Sequence, residues 1–203
     1  MSGMLAWALV ALGLAVVLVR RRSLAVALVT TQALVLVGYA LYRASTGEDF
    51  VAAGALCLRA VVLATLFFLL VARTRETRPV RARVAPLARG GVAVATALTL
   101  TWLVPAIGLT SRDAERAVLA LVACGIAAVA TRRATLFQVL GIVLVENALA
   151  LAALALPGGG SLTIELGVAL DLVLVALVAA VFHERIFAEF GAGDSAALRV
   201  LRD

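Results

Sequence analysis

Apolar runs of about twenty residues follow one another along the chain, broken by short clusters of arginine, glycine, proline and small polar residues. A helix needs roughly 17–25 mainly apolar residues to cross a bilayer. Seven runs meet that length: 3–19, 23–42, 50–72, 91–109, 115–131, 135–156 and 161–183. The pattern predicts an all-α, polytopic membrane protein of about seven transmembrane helices. The breaks divide the chain into a three-helix unit (1–72), a basic linker (73–90), a four-helix unit (91–183) and a cytoplasmic tail (184–203). The linker contains Pro79 and Pro86 and is the longest loop. Two readings are open for it: a solvated segment lying against anionic headgroups, or a docking surface for a cytoplasmic partner. In the tail, Ile186, Phe187 and Phe190 suit the interface, and Gly191 and Gly193 break the helix. Asp194 then suits the cap of a short helix carrying Leu198 and Leu201.

Charge sets the orientation. The first run has no basic residue before it and Arg20, Arg21 and Arg22 after it. A secretory signal has the opposite polarity, so the first run is expected to be a retained helix with its N-terminus outside. Fourteen arginines fall in the loops of one side, and only Arg43, Arg112 and Arg116 fall on the other. By the positive-inside rule the richer side is cytoplasmic. An odd number of helices then puts the C-terminus in the cytoplasm, with the chain in the cell inner (plasma) membrane.

Composition narrows the class further. The 203 residues are 64% apolar and 15% charged, and the mean hydropathy is +1.12. A soluble domain is about half apolar and about a quarter charged, which excludes a soluble enzyme, and a disordered chain is excluded as well. A net charge of +6 would point to nucleic acid in a soluble protein. Here the basic residues sit between apolar runs, so the lipid bilayer is the expected partner and nucleic acid is not. Cys57 and Cys124 both lie inside apolar runs and form no disulfide framework. The single histidine cannot form a cluster, and no phosphate-loop, dinucleotide, serine-hydrolase or zinc-protease motif occurs. No catalytic site, cofactor or metal of its own is expected.

The chemistry lies in polar residues placed inside apolar runs. Gln32, Arg59, Glu146 and Asp171 fall near the middle of their spans. At 1.5 Å per residue each is roughly 13–17 Å from its helix ends, so all four share the depth of the bilayer midplane. A charge there costs on the order of 2.5–3.5 kcal/mol. The chain must hide such groups, pair them or neutralise them, and residues of this kind mark ion or proton pathways. Each also has a plainer role. Arg59 can pair structurally with one acid, Glu146 and Asp171 can be hydrogen-bonded packing groups, and Gln32 suits interhelical bonding. Asn147 is placed to hold Glu146, Glu165 lies about one turn inside its span, and His183 at the end of the last span is either interfacial or a proton relay.

A weak internal repeat is visible. Arg21-Arg22-Ser23 opens the second run as Arg132-Arg133-Ala134 opens the sixth, and Arg59 and Asp171 each stand fourteen residues before a later arginine. The first three runs read as a diverged parallel copy of the last three, with the fourth as connector. The text RRATLFQVLGIVLVENA, from Arg132 to Ala148, resembles the K-type small membrane subunit of respiratory complex I and the C-type subunit of multisubunit cation/proton antiporters. Arg132, Arg133, Leu136, Phe137, Gly141, Asn147 and Ala148 fall in register with that family's double-arginine helix. Its first glutamate falls on Val143, and this chain carries Glu146 three residues later, nearly a helical turn on. Its second glutamate falls on Asp171, twelve residues before His183. That likeness covers 115–183.

Most of the chain resembles the longer hydrogenase-4 component E family, in its length, its ENA text, its IELGVALDLVLVALV run and its EFG-containing tail. Arg59 stands where that resemblance leads one to expect lysine. The resemblance implies a non-catalytic subunit of a proton- or cation-translocating membrane arm. Its partners would be antiporter-like subunits and those anchoring a quinone or hydrogenase module. Glu146 and Asp171 would accept protons, Arg59 would modulate their charge, and Gln32, Asn147, Glu165 and His183 would complete the pathway. A stand-alone secondary transporter and a purely structural adaptor are the competing classes. Against the transporter, the fourth and fifth runs are expected to bury no ionisable residue.

Overall fold

The computed structural model describes residues 3–74, 84–132, 134–156 and Ala176. Among them are six α-helices and no strand: α1 (Gly3–Leu18), α2 (Arg22–Arg43), α3 (Gly47–Thr74), α4 (Pro86–Leu103), α5 (Arg112–Thr131) and α6 (Thr135–Ala155). Helices α2, α3, α5 and α6 are long and apolar enough to cross a membrane, and α1 is a shorter apolar helix. The described part of the chain is thus all-helical and of membrane type. Of the expected span 161–183 only Ala176, helical and fully covered, is described, and the tail lies outside the described residues.

Local chemistry explains the helix ends. Thr46 and Asp49 form a reciprocal cap at the start of α3. The Asp49 amide donates to Thr46 Oγ1 at 3.2 Å, and the Thr46 amide donates to Asp49 Oδ2 at 2.9 Å. Ser111 caps α5 by accepting from the Ala114 amide at 3.1 Å. The fourth helix departs from expectation: it runs over 86–103 instead of 91–109. Pro86 stands in its first turn, where a fixed φ and a missing N–H favour initiation. Pro105 denies Val104 the helical region and ends it, and Gly108 turns the following loop at φ 80°. The shift moves Arg89 out of the expected linker and into a helix.

Six helices pack as an interleaved bundle. α5 lies against α1, α4 and α6, while α2 lies against α1, α3 and α6. Helices of the N-terminal and C-terminal units therefore share one core. The closest approach is between α5 and α6. A Cβ on Gly141 would sit 2.8 Å from the Gly125 carbonyl oxygen, and one on Gly125 would sit 2.6 Å from that of Gly141. Small residues let backbones meet this closely in membrane bundles.

The two ends of the bundle differ chemically. At one end, where α1, α3 and α5 finish and α2, α4 and α6 begin, stand Arg20, Arg21, Arg22, Arg89 and Arg132, with no carboxylate among the described residues. At the other end stand both tryptophans and both tyrosines of the chain: Trp7, Trp102, Tyr39 and Tyr42. Three arginines there are accompanied by Glu48, Asp49, Asp113 and Glu115. The outward faces between the ends are apolar, with Leu58, Leu69 and Leu98 each more than half exposed. Exposed apolar surface on the faces of long helices belongs against lipid, and aromatic residues gather at a bilayer interface.

Gly141→Val is expected to lower the midpoint of thermal unfolding in detergent micelles, because the new side chain meets backbone; overpacking typically costs about 1–3 kcal/mol. Gly38→Ala, with no atom within 4 Å of the added methyl group, should leave the midpoint unchanged or raise it slightly through helix propensity.

Candidate functional site

Four of the residues singled out in the sequence come together in the middle of the bundle. Gln32 of α2 donates from Nε2 to the Leu9 carbonyl of α1 at 2.9 Å. Asn147 of α6 donates from Nδ2 to Gln32 Oε1 at 2.8 Å. Arg59 of α3 donates from Nη2 to Asn147 Oδ1 at 3.1 Å. The other terminal nitrogen of Arg59 lies 4.0 Å from Glu146 Oε2. One continuous polar chain thus links α1, α2, α6 and α3. Gln32 is fully covered, Asn147 is 2% exposed and Arg59 is 6% exposed. Asp171, Glu165 and His183 lie outside the described residues.

Helix geometry explains the order of the chain. Gly13 leaves room for the Gln32 amide, since a Cβ there would lie 3.5 Å from Gln32 Nε2 and 2.9 Å from Leu121 Cδ2. Leu9, Gly13 and Gln32 are therefore one local arrangement at the α1–α2 contact. On α6, Val143 and Asn147 are four residues apart and both line a cavity of about 20 Å³ between α2, α3 and α6. Arg59, Thr30 and Phe67 line it too. That volume is enough for one water molecule. Glu146 does not line the cavity. It stands to one side of Asn147, and its side chain is 17% exposed. So the amide occupies the face that Val143 defines, and the carboxylate reaches the same arginine from the neighbouring face.

Chemically the site has an ionisable half and a fixed half. Arg59 supplies a permanent positive charge, and Glu146 is the described group there that can take up and release a proton. Gln32 and Asn147 are neutral amides. They orient the guanidinium and tie it to the α1 backbone.

A second group of buried arginines was not legible as such in the sequence. Arg89 is fully covered, and Arg132, which follows α5, is 3% exposed. Arg132 donates from Nη2 to the Val17 carbonyl at 3.0 Å and also to that of Val19. Arg89 donates from Nη2 to the Leu18 carbonyl at 3.4 Å. Both guanidiniums thus bind the negative end of the α1 dipole, at the carbonyls of Val17 and Leu18 and of Val19 just beyond, which lack helical partners. The Arg132 guanidinium also lies 4.0 Å from the centre of the Phe137 ring. Burial, then the nearby charges of Arg89 and Arg20, push Arg132 down to about 10, so it remains a cation at neutral pH. The expectation that the fourth helix buries no ionisable residue is overturned by Arg89. Pro86 was the available signal: a helix starting there places Arg89 in its first turn.

No family model, no curated protein and no solved structure matches the chain.

Gln32→Leu should destabilise the protein by about 1–3 kcal/mol, because it strands the Asn147 amide in the core. The double variant Gln32→Leu/Asn147→Leu should cost less than the sum of the single changes, since the two side chains bond each other. Equilibrium unfolding in mixed micelles measures both.

Proposed function

We propose that the chain is an integral-membrane subunit of a proton- or cation-translocating membrane arm of the respiratory or hydrogenase type, related to complex I. It carries no redox centre in this reading and contributes an ion-pathway element to a larger assembly. The observation that carries the proposal is the Arg59–Glu146 pair held in the middle of the bundle by Asn147 and Gln32. Charged groups at that depth are expensive, and their usual employment is charge movement. The resemblance to the hydrogenase-4 component E family supplies the type of assembly and adds Asp171 as a second carboxylate, with Glu165 and His183 toward the two ends of a seventh span. We take α1 and α4 as spans also. The arginine-rich end is assigned to the cytoplasm of the inner membrane, and the aromatic end to the outside.

In this reading Glu146 exchanges a proton while Arg59 fixes the local potential. Protonation of Glu146 removes the counter-charge of Arg59 and so alters what the cavity beside it can hold. Gln32 and Asn147 keep the guanidinium in place through the change. A structural adaptor is the second reading, favoured by the unbroken hydrogen bonding from Arg59 to the Leu9 carbonyl. The two readings separate on one measurement. In the purified complex reconstituted into vesicles, Glu146→Gln and Asp171→Asn should each reduce coupled ion movement at least tenfold while redox turnover and subunit yield persist. Glu146→Asp should retain part of the activity. Full pumping by an assembled Glu146→Gln complex would leave only the adaptor, and isolation of the chain as a lone transporting dimer would remove the subunit reading altogether.

Orientation is tested separately, in a chain whose Cys57 and Cys124 are replaced by serine. Ser45→Cys, between α2 and α3, should react with an impermeant maleimide applied to intact cells. Ser23→Cys, at the start of α2, should react only after permeabilisation. The reverse pattern would invert the topology.

A further inference from the structure

Two buried guanidiniums at the basic end have no counter-ion among the described residues. Arg89 and Arg132 each use Nη2 on the last carbonyls of α1. The Nε and Nη1 atoms of both are buried and have no hydrogen-bond partner among the described residues. Arg20, exposed in the turn after α1, is close enough to act on both charges. No described carboxylate stands at this end of the bundle. A helix terminus offers only about half a negative charge, which cannot balance two full cations, and a buried ion left without its counter-charge is strongly destabilising. Four buried guanidinium nitrogens without an acceptor among the described residues therefore call for an anion.

Position selects its source. The donors sit where α1 and α5 end and α4 begins, which in a membrane is the level of the headgroups, and basic pockets between helices on that side bind phospholipid phosphates. Arginine suits phosphate because its planar set of donors matches the phosphate oxygens. We propose that Arg20, Arg89 and Arg132 form a binding site for the phosphate of an anionic phospholipid in the leaflet at the basic end. The lipid completes the contact among α1, α4 and α5, with Arg20 at the approach and Arg89 and Arg132 as the inner donors. The site rests on the membrane placement of the chain and is independent of the ion pathway.

The test uses the full chain. Retention in carbonate-washed membranes is checked first; release there would overturn the membrane placement and the lipid site with it. The retained chain is then purified, stripped of lipid and titrated with phosphatidylglycerol in micelles, with phosphatidylcholine and inorganic phosphate as parallel arms. Bound lipid is counted by native mass spectrometry, and the thermal midpoint is followed. Phosphatidylglycerol should raise the midpoint and stay bound, while phosphatidylcholine should do so far less and inorganic phosphate hardly at all. Arg89→Gln and Arg132→Gln should each weaken retention about tenfold, the worth of one charge-assisted contact. Arg89→Lys and Arg132→Lys, which keep the charge but lose the fork, should fall between. Equal retention of the two lipids by the natural chain, or unchanged retention by the glutamine variants, would overturn the site. An equal response to inorganic phosphate would show an anion site that is not a lipid site. Should the glutamine variants fail to fold, the lysine variants and the titration of the natural chain decide: no selective phosphatidylglycerol response there rejects the proposal.

Discussion

A guanidinium in the middle of an apolar bundle constrains everything around it. Two charges at the membrane centre cost about 5–7 kcal/mol on insertion scales. A carboxylate 4.0 Å away returns roughly 4 kcal/mol at an effective dielectric constant near 20. The hydrogen bond from Arg59 to Asn147 adds about 1.5–3 kcal/mol, the usual range when one partner is charged. The terms balance only if both partners are present, so neither contact is optional. Asn147 can accept from Arg59 only if its own amide nitrogen is satisfied. Gln32 satisfies it and then turns to the Leu9 carbonyl. The requirement of one cation thereby fixes the relative placement of α1, α2, α3 and α6.

The same physics works differently at the basic end. Arg89 and Arg132 do not meet a carboxylate among the described residues; they meet the free carbonyls of α1. These bonds join α4 and the end of α5 to α1, and α1 is the helix that Gln32 also holds, one half-length away. α1 is therefore tied at its middle by an amide and at its end by two arginines. That helps a helix of only 16 residues keep its place in the bundle. The glycine contact between α5 and α6 supplies the complementary restraint through van der Waals packing.

Much of this was legible in the sequence, for reasons that differ by residue. The helix positions follow from apolar run length, a strong signal because the bilayer sets it. Gln32, Arg59, Glu146 and Asn147 stood out because a polar residue in the middle of such a run has few ordinary uses, and their common depth followed from helical rise alone. Which of them touch did not follow, because rotation about each helix axis is a tertiary property. Glu146 illustrates the point: it follows Val143 by three residues, nearly a helical turn, yet the four-residue spacing gives the face of Val143 to Asn147. By sequence Arg89 and Arg132 read as loop charges, because arginines between apolar runs are usually solvated. A helix starting at Pro86 and a carbonyl-lined end on α1 reverse that reading. The four Trp and Tyr residues near span ends are a further signal of the interface, visible without any structure.

The direction of the polar chain limits what it can carry. Each bond runs donor to acceptor from Arg59 through Asn147 and Gln32 to a backbone carbonyl. Neutral amides neither lose nor gain protons near neutral pH, and a carbonyl inside a helix cannot pass one onward. The limb toward α1 is therefore an anchor. Under the proposed function, protons must move on the other limb, where Glu146 meets Arg59 and where a side chain is partly open. The small cavity lined by Arg59, Thr30 and Asn147 adjoins the guanidinium on its Asn147 side and has room for one water. A fixed arginine anchored on one side and facing a titratable carboxylate on the other responds electrostatically to each protonation without having to move. Under the proposed function, that division between a rigid amide limb and a titratable limb is the feature by which this site differs from a buried ion pair that serves only to join helices.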